Sequence, residues 1–147
     1  MLKVKRFEFP SGHFRLYLKS VGYHGFNLYA YELFRDRHKN NSFYGSAVFA
    51  KMVGVSLSAK FMHSLTVCEY AYPYNPPGFE LGYSLLRNGH ADKIVEDILT
   101  THFEITMNSS TYNSAVSKDK ETSEARLYEL VRILDIKDIS FSLFKNI

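Results

Sequence analysis

The chain lacks tryptophan and has a single cysteine, Cys68, among its 147 residues. One cysteine excludes an internal disulfide framework, so we expect folding in a reducing compartment. A run of 18 apolar residues is also absent, and no apolar stretch follows the basic residues at the amino terminus. We therefore expect no transmembrane helix and no signal peptide, and we predict a cytoplasmic protein.

A strong net charge is missing too, since 18 basic residues against 15 acidic ones give a formal charge of +3. Nucleic-acid-binding domains are usually more basic, so a binder that uses basic loops and aromatic stacking is a third alternative. The composition, 46% apolar and 22% charged, is typical of a globular protein. We expect one domain over residues 1–147, with a polar, mobile loop at 108–121.

Aromatic residues are abundant, with 11 Tyr and 12 Phe, and this favours β-structure. Apolar residues also alternate with polar ones over several segments, which indicates half-buried strands, and residues 22–25 look like a turn. Residues 43–52 and 55–61 would form a hairpin. The predicted strands cover residues 2–9, 13–21, 43–52, 55–61, 65–72, 103–107 and 139–143.

Two segments show a helical pattern instead. The apolar residues from Ala91 to Leu99 follow a 0, 3, 4, 7, 8 spacing, and a second helix begins near Thr122 or Ser123. Its predicted buried stripe consists of Leu127, Leu130, Val131 and Leu134. Residues 26–34 and 79–86 fit either a strand or a short helix. The order of elements predicts an α+β fold, with helices packed on a mixed, mostly antiparallel sheet.

Candidate chemistry rests on one histidine and one carboxylate. None of the six histidines pairs with another at the spacing of metal ligands, so we expect no metal site. His24 lies between small neighbours in the segment 22–25, and Glu69 ends a predicted strand beside the proline-rich segment 73–78. A neutral imidazole oriented by a carboxylate can serve as a general base.

The segment around Glu69 resembles the core of the RTX toxin-activating lysine acyltransferases, which includes relatives used in microcin maturation. Upstream, residues 41–59 can be laid on the hairpin of that family without a gap, and His24 precedes them by about the expected interval. The acid is Glu where the family has Asp. The residues that carry the resemblance are Glu69-Tyr70-Ala71, Pro73-Tyr74 and Gly78.

This resemblance implies a GNAT-like fold and an enzyme that modifies a protein or peptide toxin after translation. His24 would be the general base and Glu69 would orient it. No cofactor would be bound, and the co-substrate would be an acidic acyl carrier protein or another activated acyl donor. Complementary charge would dock that carrier on the cluster Arg35, Arg37 and Lys39. A homodimer or a second maturation subunit would also fit the resemblance.

A second hypothesis needs no catalysis. The chain carries many aromatic side chains and no strong catalytic motif. These features are typical of a non-catalytic binding protein such as an immunity factor, an inhibitor or a chaperone. At the level of the sequence this alternative stays open beside the acyltransferase.

Overall fold

The structure, a computed structural model, describes residues 11–106, 121, 124 and 126–140, and over these residues it is helical and contains no strand. The chain turns repeatedly between short helices and one long one. A 3-10 helix over Ser42–Gly45 precedes α2. The α-helices are α1 (Ser11–Arg37), α2 (Ala47–Val55), α3 (Ala59–Val67), α4 (Gly78–Arg87), α5 (Asp92–Thr106) and α6 (Leu127–Ile136).

The predicted α+β, GNAT-like fold with a mostly antiparallel sheet is therefore wrong. The alternation over residues 13–21 arises because α1 has apolar side chains on its exposed side as well as on its buried one. Phe14 and Leu16, for example, are 49% and 67% exposed, whereas Val21 is buried. A helix with apolar side chains on both its buried and its exposed sides lacks the 3.6-residue pattern by which an amphipathic helix is recognised.

The predicted turn at residues 22–25 lies in the middle of α1. Its two glycines allow close packing of another segment. A Cβ on Gly22 would lie 2.4 Å from the backbone oxygen of Tyr70, and one on Gly25 would lie 3.0 Å from Cβ of Pro77. Glycine here marks the approach of a neighbouring segment to the helix and is not a chain reversal.

The predicted hairpin over 43–61 is replaced by the 3-10 helix, α2 and the start of α3. Two serines begin these helices. Ser46 Oγ accepts a hydrogen bond from the backbone N–H of Phe49, and Ser58 Oγ accepts one from that of Phe61, both at 3.2 Å. Such N-caps satisfy backbone donors that a helix end leaves without a partner.

Other segment predictions had mixed outcomes. The predicted helix at 91–99 is confirmed and continues to residue 106. The predicted strand at 103–107 is therefore wrong. The two ambiguous segments, 26–34 and 79–86, are both helical. The second helix is α6, where Ile133 is buried while Val131 and Leu134 are about half exposed. Ile139 is buried outside any strand. The predicted strand 2–9, the end of 139–143 and, apart from Glu121, the loop 108–121 lie outside the described residues.

Helix α4 is the centre of the fold, because α1, α5 and α6 all pack against it. Every residue from Gly78 to Leu85 is buried, so this helix has no face toward solvent over its first two turns. The Pro76-Pro77 pair ends the preceding segment, and α4 begins directly after it. Proline suits this boundary because it has no N–H to leave unsatisfied.

The start of α4 lies directly against α5. The backbone N–H of Gly78 donates a hydrogen bond to His102 Nδ1 at 3.1 Å, and a Cβ on Gly78 would lie 2.4 Å from that ring. His102 is fully buried, and burial lowers its pKa to about 3, so the ring stays neutral and can accept this bond. The contact therefore requires both the glycine and an uncharged histidine.

No helix in the described part of the chain combines the length and the apolar character that crossing a bilayer requires.

Replacing Gly78 by Ala tests this close approach. We expect Gly78→Ala to lower the free energy of unfolding by about 1–3 kcal/mol, because the added methyl group must displace His102. Urea unfolding followed by circular dichroism measures the loss. Gly54→Ala is the matched control, since Gly54 lies inside α2 and a Cβ added there would meet nothing within 4 Å. The free energy of unfolding of this control should rise by about 0.5–1 kcal/mol. Equal changes in the free energy of unfolding at both positions would contradict the prediction.

Candidate functional site

His24, the predicted general base, lies inside α1 and is half-buried. Its Nε2 is 3.1 Å from the carbonyl oxygen of Met52, and because a carbonyl can only accept, this nitrogen carries the proton. The ring also packs edge-to-face on Phe61, with centroids 4.9 Å apart. Burial lowers the pKa of His24, while the bond to Met52 partly opposes that shift. The imidazole is therefore neutral and held in place.

Glu69 does not lie on a strand but in the exposed turn after α3. Among the described residues, no hydrogen bond or ion pair joins Glu69 to His24. Its neighbour Tyr70 instead contacts α1, where its hydroxyl accepts a hydrogen bond from Arg15 Nε at 3.3 Å. The catalytic roles of His24 and Glu69 therefore stay predictions and lack the sheet from which they were inferred.

The predicted carrier-docking residues are only partly free. Arg37 and Lys39 are exposed at the end of α1 and just beyond it. Arg35, in contrast, bonds to the fully buried Glu32 at 3.4 Å and to Asn88 Oδ1 at 3.2 Å. Arg35 thus belongs to a polar contact between α1 and α4.

A buried ion pair links α4 to the start of α6. Glu80 has no exposed surface, and Arg126 donates a hydrogen bond to its Oε1. Burial raises the pKa of Glu80 to about 8, although Arg126 opposes the shift. The second oxygen, Oε2, has no hydrogen-bond partner within the described part of the chain. An unpaired buried carboxylate oxygen is costly, so Arg126 is essential to this arrangement.

Glu129 extends this pair toward the surface. Its pKa is also raised by burial and lowered by the nearby charges of Arg126 and Arg132. Its Oε2 is buried and has no partner among the described residues. Charges of alternating sign thus run from Glu80 through Arg126 and Glu129 to Arg132 at the protein surface.

An open groove of about 310 Å³ lies where this row of charges reaches the surface. We call it the α4–α6 groove. Arg132 Nη2 donates to the hydroxyl of Tyr128 at 3.3 Å, and its guanidinium carbon lies 5.0 Å from the centre of that ring. Tyr83 meets Tyr29 edge-to-face at 5.0 Å behind the groove. The residues lining the groove are Tyr83, Tyr128, Arg132, Asp135 and Ile136.

No group of three or more potential metal ligands occurs in the part of the chain that the structure describes. Two polar features of these residues are the row of charges and the groove.

The chain is 30% identical over 129 residues to archaeal glycosylation protein Q of Haloferax volcanii. The match covers 86% of this chain but 34% of that protein, so the chain spans about a third of the length of this relative. Neither a known protein family nor a solved structure matches the chain. The chain is similar to a glycosylation protein.

The resemblance to the RTX toxin-activating acyltransferases is wrong on two grounds. The described residues form helices and lack the GNAT-like sheet, and the similarity found is to a glycosylation protein. The short motif around Glu69 and Gly78 matched that family by composition, whereas here Gly78 is the first residue of a buried helix. Toxin maturation and acyl transfer therefore have no support from the fold.

Sequence reasoning missed Glu80, Arg126 and the groove. Glu80 does leave a signal, since it is the lone acid in the apolar run of residues 78–86. Such an acid on a helix without a polar face needs a buried partner. The identity of that partner had no signal, because Arg126 is 46 residues away.

Removing the partner of Glu80 should be strongly destabilising. We expect Arg126→Met to lower the free energy of unfolding by about 3–5 kcal/mol above about pH 8, where Glu80 is ionised, because it leaves a buried carboxylate without its cation. Denaturant unfolding measures the change. Lys93→Met is the control, since Lys93 and Asp97 form an exposed ion pair one helical turn apart, and such pairs contribute about 0.3–0.5 kcal/mol. Comparable losses in the two variants would refute the role of Arg126.

The raised pKa of Glu80 predicts a pH dependence of stability. A carboxyl group that binds its proton more tightly in the folded state stabilises the fold most below its unfolded pKa. This stabilisation should therefore be lost as the pH rises from the ordinary value of 4.5 to about 8. The measurement is the unfolding free energy across this range. Glu80→Gln should reduce the decline and leave the part that the raised pKa of Glu129 causes, whereas Glu96→Gln on α5 should leave it unchanged; an undiminished decline in Glu80→Gln would show that Glu80 does not contribute.

Proposed function

We propose that this chain acts in glycosylation by binding a saccharide in the α4–α6 groove. The observation that carries the proposal is the 30% identity to archaeal glycosylation protein Q over 86% of the chain. The name of that relative supplies the process. The groove supplies a surface of suitable chemistry.

A saccharide presents apolar C–H faces and pairs of neighbouring hydroxyl groups. Tyr128 offers an aromatic ring that is 61% exposed, on which such a face can stack. Its position is supported by Arg132, which bonds to its hydroxyl and lies over its ring. The side chain that could stack a sugar is therefore already held by a neighbour.

Hydroxyl recognition would come from planar polar groups beside that ring. Arg132 forms no ion pair within the described residues, so the remaining N–H donors of its guanidinium can bond to ligand oxygens. Asp135 lies one turn further along α6 and can accept bonds from hydroxyl groups. Since ligand pockets start at about 300 Å³, a groove of about 310 Å³ suits one sugar unit.

Binding alone is sufficient for this proposal, and no catalytic step is assigned to the groove. The proposal is of the same kind as the non-catalytic binding protein considered from the sequence, but the ligand is a saccharide and not a protein. The cytoplasmic location, the acyl carrier protein, the toxin acceptor and a homodimer or second subunit stay predictions without further support.

The role in glycosylation is tested in the cell that produces the chain. Deleting its gene should change the masses of glycopeptides without changing the masses of the peptides that carry them. Liquid chromatography with mass spectrometry makes this measurement. Full restoration by the wild-type gene is the control, and unchanged glycans after deletion would overturn the proposal.

The groove is tested by titrating the protein with glycans released from that cell and following binding by NMR. Tyr128→Ala should weaken binding about 3–10-fold, because an aromatic contact contributes about 0.5–1.5 kcal/mol. Arg132→Met should weaken saccharide binding by more than Tyr128→Ala does. Tyr23→Ala on α1 is the matched control, since it removes a tyrosine that is 37% exposed and lies outside the groove. If Tyr128→Ala and Arg132→Met both bind like the wild type, the saccharide does not use this groove.

A further inference from the structure

We propose that the cavity between α1 and α3 is a second binding site, which takes a small apolar molecule carrying one carboxylate. This α1–α3 pocket shares no lining residue with the α4–α6 groove, so the proposal is independent of the role in glycosylation. The residues that line it are Tyr17, Ser20, Val21, His24, Val55, Ser58, Lys60 and Phe61.

The size of the pocket limits the ligand to a small molecule. Its volume is about 250 Å³. A dry protein cavity of about 150 Å³ holds benzene, so this pocket has room for one ring and a short substituent. Neighbouring walls come from Val21, Val55 and Phe61, which favour an apolar body.

The walls are held in place before any ligand binds. His24 is fixed at one end by its bond to the carbonyl of Met52 and on its side by the edge-to-face contact with Phe61. Phe61 lies in the first turn of α3, where its backbone N–H donates a hydrogen bond to the hydroxyl oxygen of the capping residue Ser58. A preformed pocket binds with less loss of side-chain freedom.

The polar groups of the pocket select for an acid. The hydroxyl of Ser20 donates to the carbonyl of Tyr17 at 2.7 Å, and that of Ser58 donates to the carbonyl of Val55 at 3.0 Å. Both hydroxyl protons are therefore already used. The ammonium group of Lys60 has no hydrogen-bond or ion-pair partner among the residues that the structure describes, and Lys60 is the charged residue in the lining.

The remaining titratable group supports this charge balance. Burial lowers the pKa of His24, so near neutral pH the imidazole adds no second positive charge. Its protonated Nε2 is committed to Met52. Lys60 alone supplies the cation, which matches a ligand with a single negative charge.

The test is an NMR titration of the intact chain with phenylacetate, which has one ring and one carboxylate. Phenylacetate should shift the amide signals of Val21, Val55 and Phe61 at millimolar concentration. Two probes separate the contributions: 2-phenylethylamine has the ring with the opposite charge, and acetate has the carboxylate without the ring. 2-Phenylethylamine should bind at least about fivefold more weakly, since one ion pair near the surface accounts for about that factor. Acetate should also bind at least about fivefold more weakly, because it lacks the ring that the apolar walls would bury.

Two variants locate the effect. Lys60→Met should weaken phenylacetate binding about fivefold, whereas Lys51→Met, an exposed lysine on α2 outside the lining, should not. Ser20→Leu should abolish binding, because its larger side chain fills the pocket from an exposed helix position where folding is not at risk. Equal binding of phenylacetate and 2-phenylethylamine, or unchanged binding in Ser20→Leu, would overturn the proposal. Absence of phenylacetate binding would overturn it as well.

Discussion

The fold depends on the complete burial of the first two turns of α4, from Gly78 to Leu85. A helix with no face toward solvent must satisfy each of its polar groups within the protein, and α4 carries a carboxylate, Glu80, in its first turn. Arg126 meets that requirement from the start of α6. The hydroxyl of Ser84 meets it locally by donating to the carbonyl of Glu80 at 2.8 Å. The neighbouring helices thus pack so that polar groups of one buried helix have partners.

A second polar cluster fastens the other end of α4 to α1. Glu32 on α1 is fully buried, and its Oε1 accepts a hydrogen bond from Asn88 Nδ2 at 2.6 Å. Arg87 lies 3.7 Å from the other oxygen of Glu32 and also pairs with Asp36. Polar contacts therefore hold α4 at both ends, to α6 near its beginning and to α1 near its end, with apolar packing between them.

The sequence predicted the parts of this fold in which helical periodicity is undisturbed. Helix α5 buries one face, so Val95 and Leu99 follow the spacing of an amphipathic helix, whereas α1 was missed because residues such as Phe14 are apolar yet exposed. The sites were less predictable. His24 was singled out and does line the α1–α3 pocket, but its partner Glu69 was placed on a strand that the described residues do not form. Periodicity describes one element at a time and carries no information on which elements meet.

The burial of α4 also has a consequence for the order in which the chain folds. An isolated helix of ten residues is only marginally stable in water, and this one has no polar face to present to solvent. It can become stable only as α1, α5 and α6 close around it. Glu80 would still lack its cation in any growing chain that ends before Arg126. Synthesis must therefore pass the beginning of α6 before α4 can become stable, and α1, α4, α5 and α6 assemble cooperatively.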